Sequence, residues 1–283
     1  MLFKNGQTAL ITGASSGIGI AFARLLAKQG VHLTLVARRL DRLQNLAAEL
    51  NTTYGVEVHP LEADLSTEEG IRRAEQMVAA AERLDLLINN AGFGLNGSFP
   101  DLPPERIMDM LNCHVTAVTR LCRAALPAML AAGSGGIINV SSVAAFTPEF
   151  SEVGYSSTKA FINVFSRALQ SEVAVSGVYI QALCPGFTHT GFHATPAYAG
   201  VEVEKNIPAF LWMQPEQVAA YSLKQLGQSG VICVPGLINR WMVLAANMGI
   251  TGLLAPLRRR LKKQVFVKRD VEIVQGKSPD DVE

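Results

Sequence analysis

Tyr155 and Lys159 stand four residues apart in the run Tyr155-Ser156-Ser157-Thr158-Lys159, and Ser142 precedes the tyrosine by thirteen residues. On a helix that spacing puts the phenol and the ammonium on one face. The cation then favours phenolate, and the tyrosine pKa is expected to fall toward neutrality. A phenol tuned in this way gives a proton to a carbonyl oxygen or takes one from an alcohol. A lone Tyr-x-x-x-Lys recurs by chance, so its meaning depends on the rest of the chain.

Near the N-terminus an apolar run, Thr8 to Ile11, passes into Thr12, Gly13, Ala14, Ser15, Ser16, Gly17, Ile18 and Gly19. Ala21, Phe22, Leu25 and Leu26 follow at helical spacing. This reads as strand, glycine turn, helix. The glycines let the backbone approach a pyrophosphate, and the first helical turn supplies amide donors and a partial positive charge. The glycines are spaced G-x-x-x-G-x-G, which departs from the general dinucleotide fingerprint G-x-G-x-x-G.

These two sites need a scaffold that brings them together. Apolar runs at Thr8 to Ile11, His32 to Ala37, Val56 to Glu62, Leu84 to Ile88, Ile137 to Ser141, Val178 to Cys184 and Val231 to Pro235 alternate with helical patterns. Seven strands with crossover helices predict an α/β fold, a doubly wound Rossmann-type domain whose parallel sheet is covered on both faces. Ligands in such sheets bind beyond the carboxyl ends of the strands, where Gly13, Arg38, Asn90, Ser142 and Pro185 fall. The expected organisation is one catalytic domain over residues 1–235 and a helical C-terminal extension over 236–283.

Further segments extend the pattern. Asn89, Asn90, Ala91 and Gly92 close the fourth run, Asp64 sits in Ala63-Asp64-Leu65, and Pro185, Gly186 and Thr190 form Pro-Gly-x-x-x-Thr. With the tyrosine and glycine motifs, these resemble the short-chain dehydrogenase/reductase family over about residues 5 to 235. The resemblance implies a nicotinamide dinucleotide held by Gly13, Ser15, Ser16, Gly17, Ile18 and Gly19, with Asp64 and Leu65 beside the adenine. Asn90, Ala91, Gly92, Pro185, Gly186, Thr188 and Thr190 complete that cofactor site. Tyr155 is the implied general acid or base, and Ser142 holds the substrate oxygen. Lys159 tunes the phenol and binds the nicotinamide ribose. Ser141 is the nearest competitor for the serine role, and the thirteen-residue interval favours Ser142.

Two positions qualify the resemblance. An acidic residue at the end of the second strand would bond the 2′-hydroxyl of NAD. Here Ala37, Arg38 and Arg39 follow one another, and a guanidinium binds the 2′-phosphate of NADP. NADP(H) is therefore the expected cofactor, although Ser16 stands where many NADP-preferring relatives carry a second basic residue. The family's catalytic asparagine, part of a water-mediated link from the lysine to solvent, is replaced by His114, and Asn112 comes two residues too early. The imidazole either takes over that role through its two nitrogens or is a packed helix histidine.

The 283 residues are 49% hydrophobic and carry a net charge of +1, which suits one large core and supplies no global field for nucleic acid. Cys113, Cys122, Cys184 and Cys233 show neither metal-ligand nor disulfide spacing and are expected to be buried free thiols. The first seven residues do not read as a signal peptide, so the expectation is a cytoplasmic enzyme. The segment 187–213, with Phe192, Tyr198, Phe210, Leu211 and Trp212, is expected to cover a bulky apolar ketone, aldehyde or alcohol. Family analogy predicts a homodimer or homotetramer. From Trp241 to Leu257 there are seventeen uncharged residues, followed by Arg258, Arg259, Arg260, Lys262 and Lys263. That order suggests peripheral membrane contact through 241–263, or a soluble helix over the pocket or a partner. The leading function is an NADP-dependent oxidoreductase acting on a carbonyl/alcohol pair. A non-catalytic NADP-binding sensor or interaction subunit is the alternative.

Overall fold

The structure is a computed structural model and describes residues 4–148, 152–192, 198, 205, 207–228 and 230–250. The elements run β1 (Thr8–Thr12), α1 (Gly17–Ala27), β2 (His32–Ala37), α2 (Leu40–Tyr54), β3 (Val58–Glu62), α3 (Glu68–Ala79) and β4 (Leu86–Asn89). They continue with α4 (Pro104–Leu111), a π-helical turn (Asn112–Thr116), α5 (Ala117–Ala132), β5 (Gly135–Val140), α6 (Val153–Glu172) and β6 (Val178–Leu183). Last come α7 (Pro215–Gln225), β7 (Ile232–Cys233) and α8 (Leu237–Asn247).

The seven strands form one sheet in the order β3-β2-β1-β4-β5-β6-β7, and every pairing is parallel. Strand alternation sends neighbouring side chains to opposite faces. Ile11 and Ile88 therefore join Phe22, Leu26, Leu43 and Leu223 on one side, while Leu10 and Leu87 join Ile71, Leu121 and Ile162 on the other. Because both faces are dry, the strands read as continuous apolar runs. The order reverses between β1 and β4, and the crevice at that point is where such sheets bind ligands.

Two strands are shorter than expected. Val56 is buried outside β3, which starts at Val58 and pairs only with β2. At this edge Pro60 costs no ladder bond that the sheet needs. β7 keeps only Ile232 and Cys233 of the expected Val231 to Pro235, paired with Ala182 and Leu183 of β6. Among the described residues, Pro104–Ala132 is the stretch long and apolar enough to cross a membrane, with a mean hydropathy of 1.3. Met110, Leu121, Cys122, Ala125 and Met129 on it are buried, and all but Met110 belong to the cluster on one face of the sheet. All four cysteines are buried and unpaired.

Candidate active site

The glycine turn joins β1 to α1 at the switch point. Gly13 adopts φ +67°, and a Cβ there would lie 2.8 Å from Ala91 Cα, so β1 and β4 approach too closely for a side chain. Gly17, at φ +52°, lies under Thr190, whose methyl a Cβ would meet at 2.6 Å. Thr12 Oγ1 accepts the Asn90 and Ala91 amides at 2.9 and 3.0 Å, and Asn90 Nδ2 donates to Thr12 O and Gly13 O. Asn90 and Ala91 thus fasten the turn to β4. Ser16 caps α1 in extended conformation without a side-chain bond to its own helix. Half-buried Ile18 packs on the core just inside the first turn, where the amide donors gather.

At the rim of the turn the two arginines diverge. Arg39 donates to Ser15 Oγ at 2.9 Å, linking the end of β2 to the glycine turn. Arg38 lies 3.9 Å from Asp64 Oδ2, while Asp64 Oδ1 accepts the Ser66 amide and hydroxyl. Burial, then Arg42 and Arg38, lower the Arg39 pKa, so three cations share this corner. Arg42, one turn beyond Arg38, was not anticipated, although its spacing was visible in the sequence. Leu65 is buried beside Asp64.

The second half of the site is built by β5, β6 and α6. Ser142 follows β5 and accepts the Ala144 amide at 3.1 Å, which leaves its own proton to point elsewhere. Ser141 donates its hydroxyl to Lys159 O at 2.8 Å and is buried, so it is committed to the scaffold. The Pro185 carbonyl accepts Val143 N at 3.0 Å, and buried Thr188 donates to Gly186 O at 3.0 Å. Those bonds set the segment from Pro185 to Thr190 beside Ser142.

Lys159 is 3% exposed; its Nζ donates to Val140 O at 2.9 Å and lies 5.5 Å from the centroid of the Tyr155 ring. Burial lowers its pKa to about 8. The tyrosine departs from the expectation: burial pushes Tyr155 up to about 12, with the Ser142 hydroxyl pulling the other way. The ammonium sits over the ring and is committed to a carbonyl, so the protein's own groups do not produce a near-neutral phenol. A phenol that keeps its proton at neutral pH is an acid, as carbonyl reduction requires.

His114 sits in the π-helical turn, a local widening common at functional sites. Its Nε2 accepts the Phe93 amide at 3.0 Å, so Nδ1 carries the proton and donates to Thr158 Oγ1 at 2.9 Å. Thr158 in turn donates to Tyr155 O. Burial, then Lys159, push the imidazole pKa well down. With both nitrogens engaged, the ring fits a positioning role beneath Tyr155 better than a proton relay. A Cβ on Gly92 would meet His114 Nε2 at 2.8 Å and Lys159 Nζ at 3.5 Å, which explains a glycine there. The Asn112 amide donates to Ser66 O.

Beside Tyr155 lies a small apolar pocket whose lining includes Leu95, Phe99, Leu102, Ile107 and Met110, from the β4–α4 connection and α4. The sequence reading placed the cover over the substrate in 187–213 and gave these residues no part in it. Within that segment Phe192 packs edge-on to Tyr155 at 5.6 Å and Tyr198 lies 5.9 Å from Phe192, whereas Glu202 and Glu204 fall outside the described residues. Glu152 was also missed. Its Oε1 accepts the Tyr198 hydroxyl at 2.7 Å, its Oε2 accepts Leu95 N at 2.8 Å, and burial raises its pKa. Three residues before the tyrosine, it joins the β4–α4 connection, through Leu95, to Tyr198 of the 187–213 segment.

A doubly wound parallel sheet with a glycine turn at its switch point and a serine, tyrosine and lysine beside it defines an α/β oxidoreductase using a nicotinamide dinucleotide. The sequence matches the short chain dehydrogenase profile over residues 7–197, and the chain belongs to the short-chain dehydrogenase/reductase family. It is 36% identical over 192 residues to a very-long-chain 3-oxoacyl-CoA reductase of Danio rerio, covering 66% of this chain and 60% of that one. The chain thus spans about three fifths of that relative. A 3-oxoacyl-[acyl-carrier-protein] reductase of Aquifex aeolicus is 32% identical over 216 residues, or 76% of this chain and 87% of that one. Among solved structures, a short-chain dehydrogenase from Sphingobium yanoikuyae in complex with NADPH superposes with TM-score 0.77 at 34% identity, covering 96% of this chain and 98% of the other. A bulky-bulky ketone specific alcohol dehydrogenase from Comamonas testosteroni gives 0.75 at 31% identity, covering 89% and 95%.

Proposed function

We propose that the protein is an NADPH-dependent reductase of hydrophobic ketones or aldehydes, with Tyr155 as proton donor. The observation that carries this reading is half-buried Tyr155, placed between the Ser142 hydroxyl and the small pocket lined by Leu95, Phe99 and Met110, with its pKa raised so that the phenol keeps its proton. Ser142 donates to the carbonyl oxygen and aims it at the phenol; Tyr155 Oη delivers the proton as the carbonyl becomes an alcohol. The bound cofactor supplies hydride. Lys159 contributes a buried positive charge over the phenol ring that favours the phenolate left behind. His114, through Thr158, fixes the turn of α6 that carries the tyrosine.

A ketone substrate is supported by the Comamonas testosteroni neighbour, an alcohol dehydrogenase specific for bulky-bulky ketones, and by the apolar side chains of Leu95, Phe99, Leu102 and Met110 near Tyr155. Some relatives are called inactive, such as the hydroxysteroid dehydrogenase-like protein 1 of Homo sapiens at 31% identity over 196 residues, 69% of this chain and 59% of that one. The complete Ser142, Tyr155 and Lys159 set argues against a sensor or interaction subunit, which needs no proton donor. Exposed Phe161 and Val164 on α6, with Leu130 at the end of α5, support pairing of two copies through these helices. NADPH oxidation across a panel of aliphatic and aryl ketones and aldehydes tests the reading. No turnover on any of them would discard it.

Preference for NADP(H) rests on Arg38, Arg39 and Arg42 at the corner beyond β2. Replacing Arg38 and Arg39 together by alanine is expected to raise KM for NADPH by roughly 30-fold, the loss of one or two charge-assisted bonds. KM for NADH should move by less than about threefold, since its 2′-hydroxyl carries no charge to lose. Equal losses for both cofactors would remove the 2′-phosphate from this corner.

The pH profile follows from Lys159. Its folded pKa of about 8 lies below the ordinary 10.5, so the ammonium is half lost at pH 8 and disappears as pH rises further. Reductive kcat at saturating NADPH is expected to fall through that window. Lys159→Met should lose this limb and leave a slow, flat residual rate. A wild-type profile level from pH 7 to 9.5 would contradict the assignment.

A further inference from the structure

Helix α8 is fastened to the body by one face only. Asn239 donates to Pro235 O at 2.9 Å and fills the space beside Gly186, and Val243 is buried. The helix carries one charged residue, Arg240, which turns back to donate to Val234 O at 3.1 Å and to the Tyr221 hydroxyl. Its other face is exposed among the described residues. Leu237, Trp241, Leu244 and Met248 recur at helical spacing with 70, 69, 47 and 66% of their surface exposed, flanked by Ile238, Met242 and Ile250. An uninterrupted apolar stripe of this kind marks an interaction surface.

The sequence immediately beyond selects the occupant. Residues 251–257 carry no charge, and five of the six residues 258–263 are basic: Arg258, Arg259, Arg260, Lys262 and Lys263. We propose that the exposed face of α8 docks in the plane of an anionic lipid surface, with the basic run pairing with lipid headgroups. An apolar helix face followed by concentrated positive charge is the composition of an interfacial anchor. Eleven residues rise only about 16 Å, half of a bilayer's hydrocarbon thickness, so α8 lies on the membrane and does not cross it. A second copy is the poorer occupant, because it carries the same basic sequence and offers the five cations of 258–263 no complementary charge.

The test reads vesicle binding, not turnover, so its failure is separate from failure of the reductase reading. The full-length protein is mixed with vesicles of phosphatidylcholine alone, or of phosphatidylcholine and phosphatidylglycerol two to one, and recovered by flotation. Binding to the mixed vesicles is expected to be at least roughly tenfold tighter and to weaken with salt. Leu237→Glu with Trp241→Glu should lower it by about tenfold or more, and so should Arg258→Glu, Arg259→Glu and Arg260→Glu together. Leu237 and Trp241 are exposed residues outside the site, so turnover of a soluble ketone by that pair should be unchanged. Absence of wild-type binding, or binding indifferent to either set, overturns the proposal. If the paired glutamates instead dissociate a wild-type oligomer in light scattering while no vesicles are bound, the face belongs to a second copy and the proposal is likewise overturned.

Discussion

Tyr155→Phe is expected to bind NADPH within about threefold of the wild type and to lose about a thousandfold in kcat, the scale of a positioned general acid. The substitution removes one oxygen and little else. His114 and Phe192 both meet the Tyr155 ring edge-on, at 5.9 and 5.6 Å between centroids, and a phenylalanine ring keeps those contacts. The Ser142 hydroxyl remains to hold the carbonyl, so substrate still approaches, but no acid stands at the end of α6. Quenching of protein fluorescence by NADPH measures the first quantity, and single-turnover absorbance at saturating ketone the second. A variant keeping a tenth of the wild-type rate would show that the proton comes from another group.

Gly19→Val is expected to destabilise the fold by about 2 kcal/mol and to weaken NADPH binding by roughly a hundredfold. A Cβ at Gly19 runs into the Gly13 carbonyl oxygen and lies 2.8 Å from the Asn90 amide nitrogen. Neither can give way easily, since Asn90 pins the turn through Thr12 O and Gly13 O at 2.9 and 3.2 Å. The first turn of α1 must therefore swing away from β1, re-aiming the amides on which a pyrophosphate would rest. Gly230→Ala is the matched control, because nothing lies within 4 Å of a Cβ there. Thermal unfolding with and without NADPH separates the two effects. If NADPH stabilises Gly19→Val as much as wild type, the turn is not the phosphate cradle.

What the sequence disclosed and withheld follows a physical division. Strands β1, β2, β4, β5 and β6 are buried on both faces, and their apolar runs fall within one or two residues of the observed spans. Gly13 and Gly17 were legible because positive φ and close approach leave no other residue. The weaker inferences depended on contacts that no local pattern encodes. Four-residue spacing placed Lys159 on the same face as Tyr155, but it did not reveal that Nζ turns to Val140 O and that burial raises the phenol's pKa. His114 was found by counting, whereas the π-helical turn that seats it under Gly92 leaves no simple periodic mark. Glu152 belongs to no motif the sequence offers. Only the fold shows it joining Leu95 to Tyr198.

The buried thiols have a practical use. Alkylating reagents attack the thiolate, and the desolvated interior holds Cys113, Cys122, Cys184 and Cys233 at a pKa of about 12. Each becomes reactive only when the surrounding chain opens to water. Modification followed in time, one site after another by mass spectrometry, therefore works as a set of internal clocks, timing how often each part of the interior breathes.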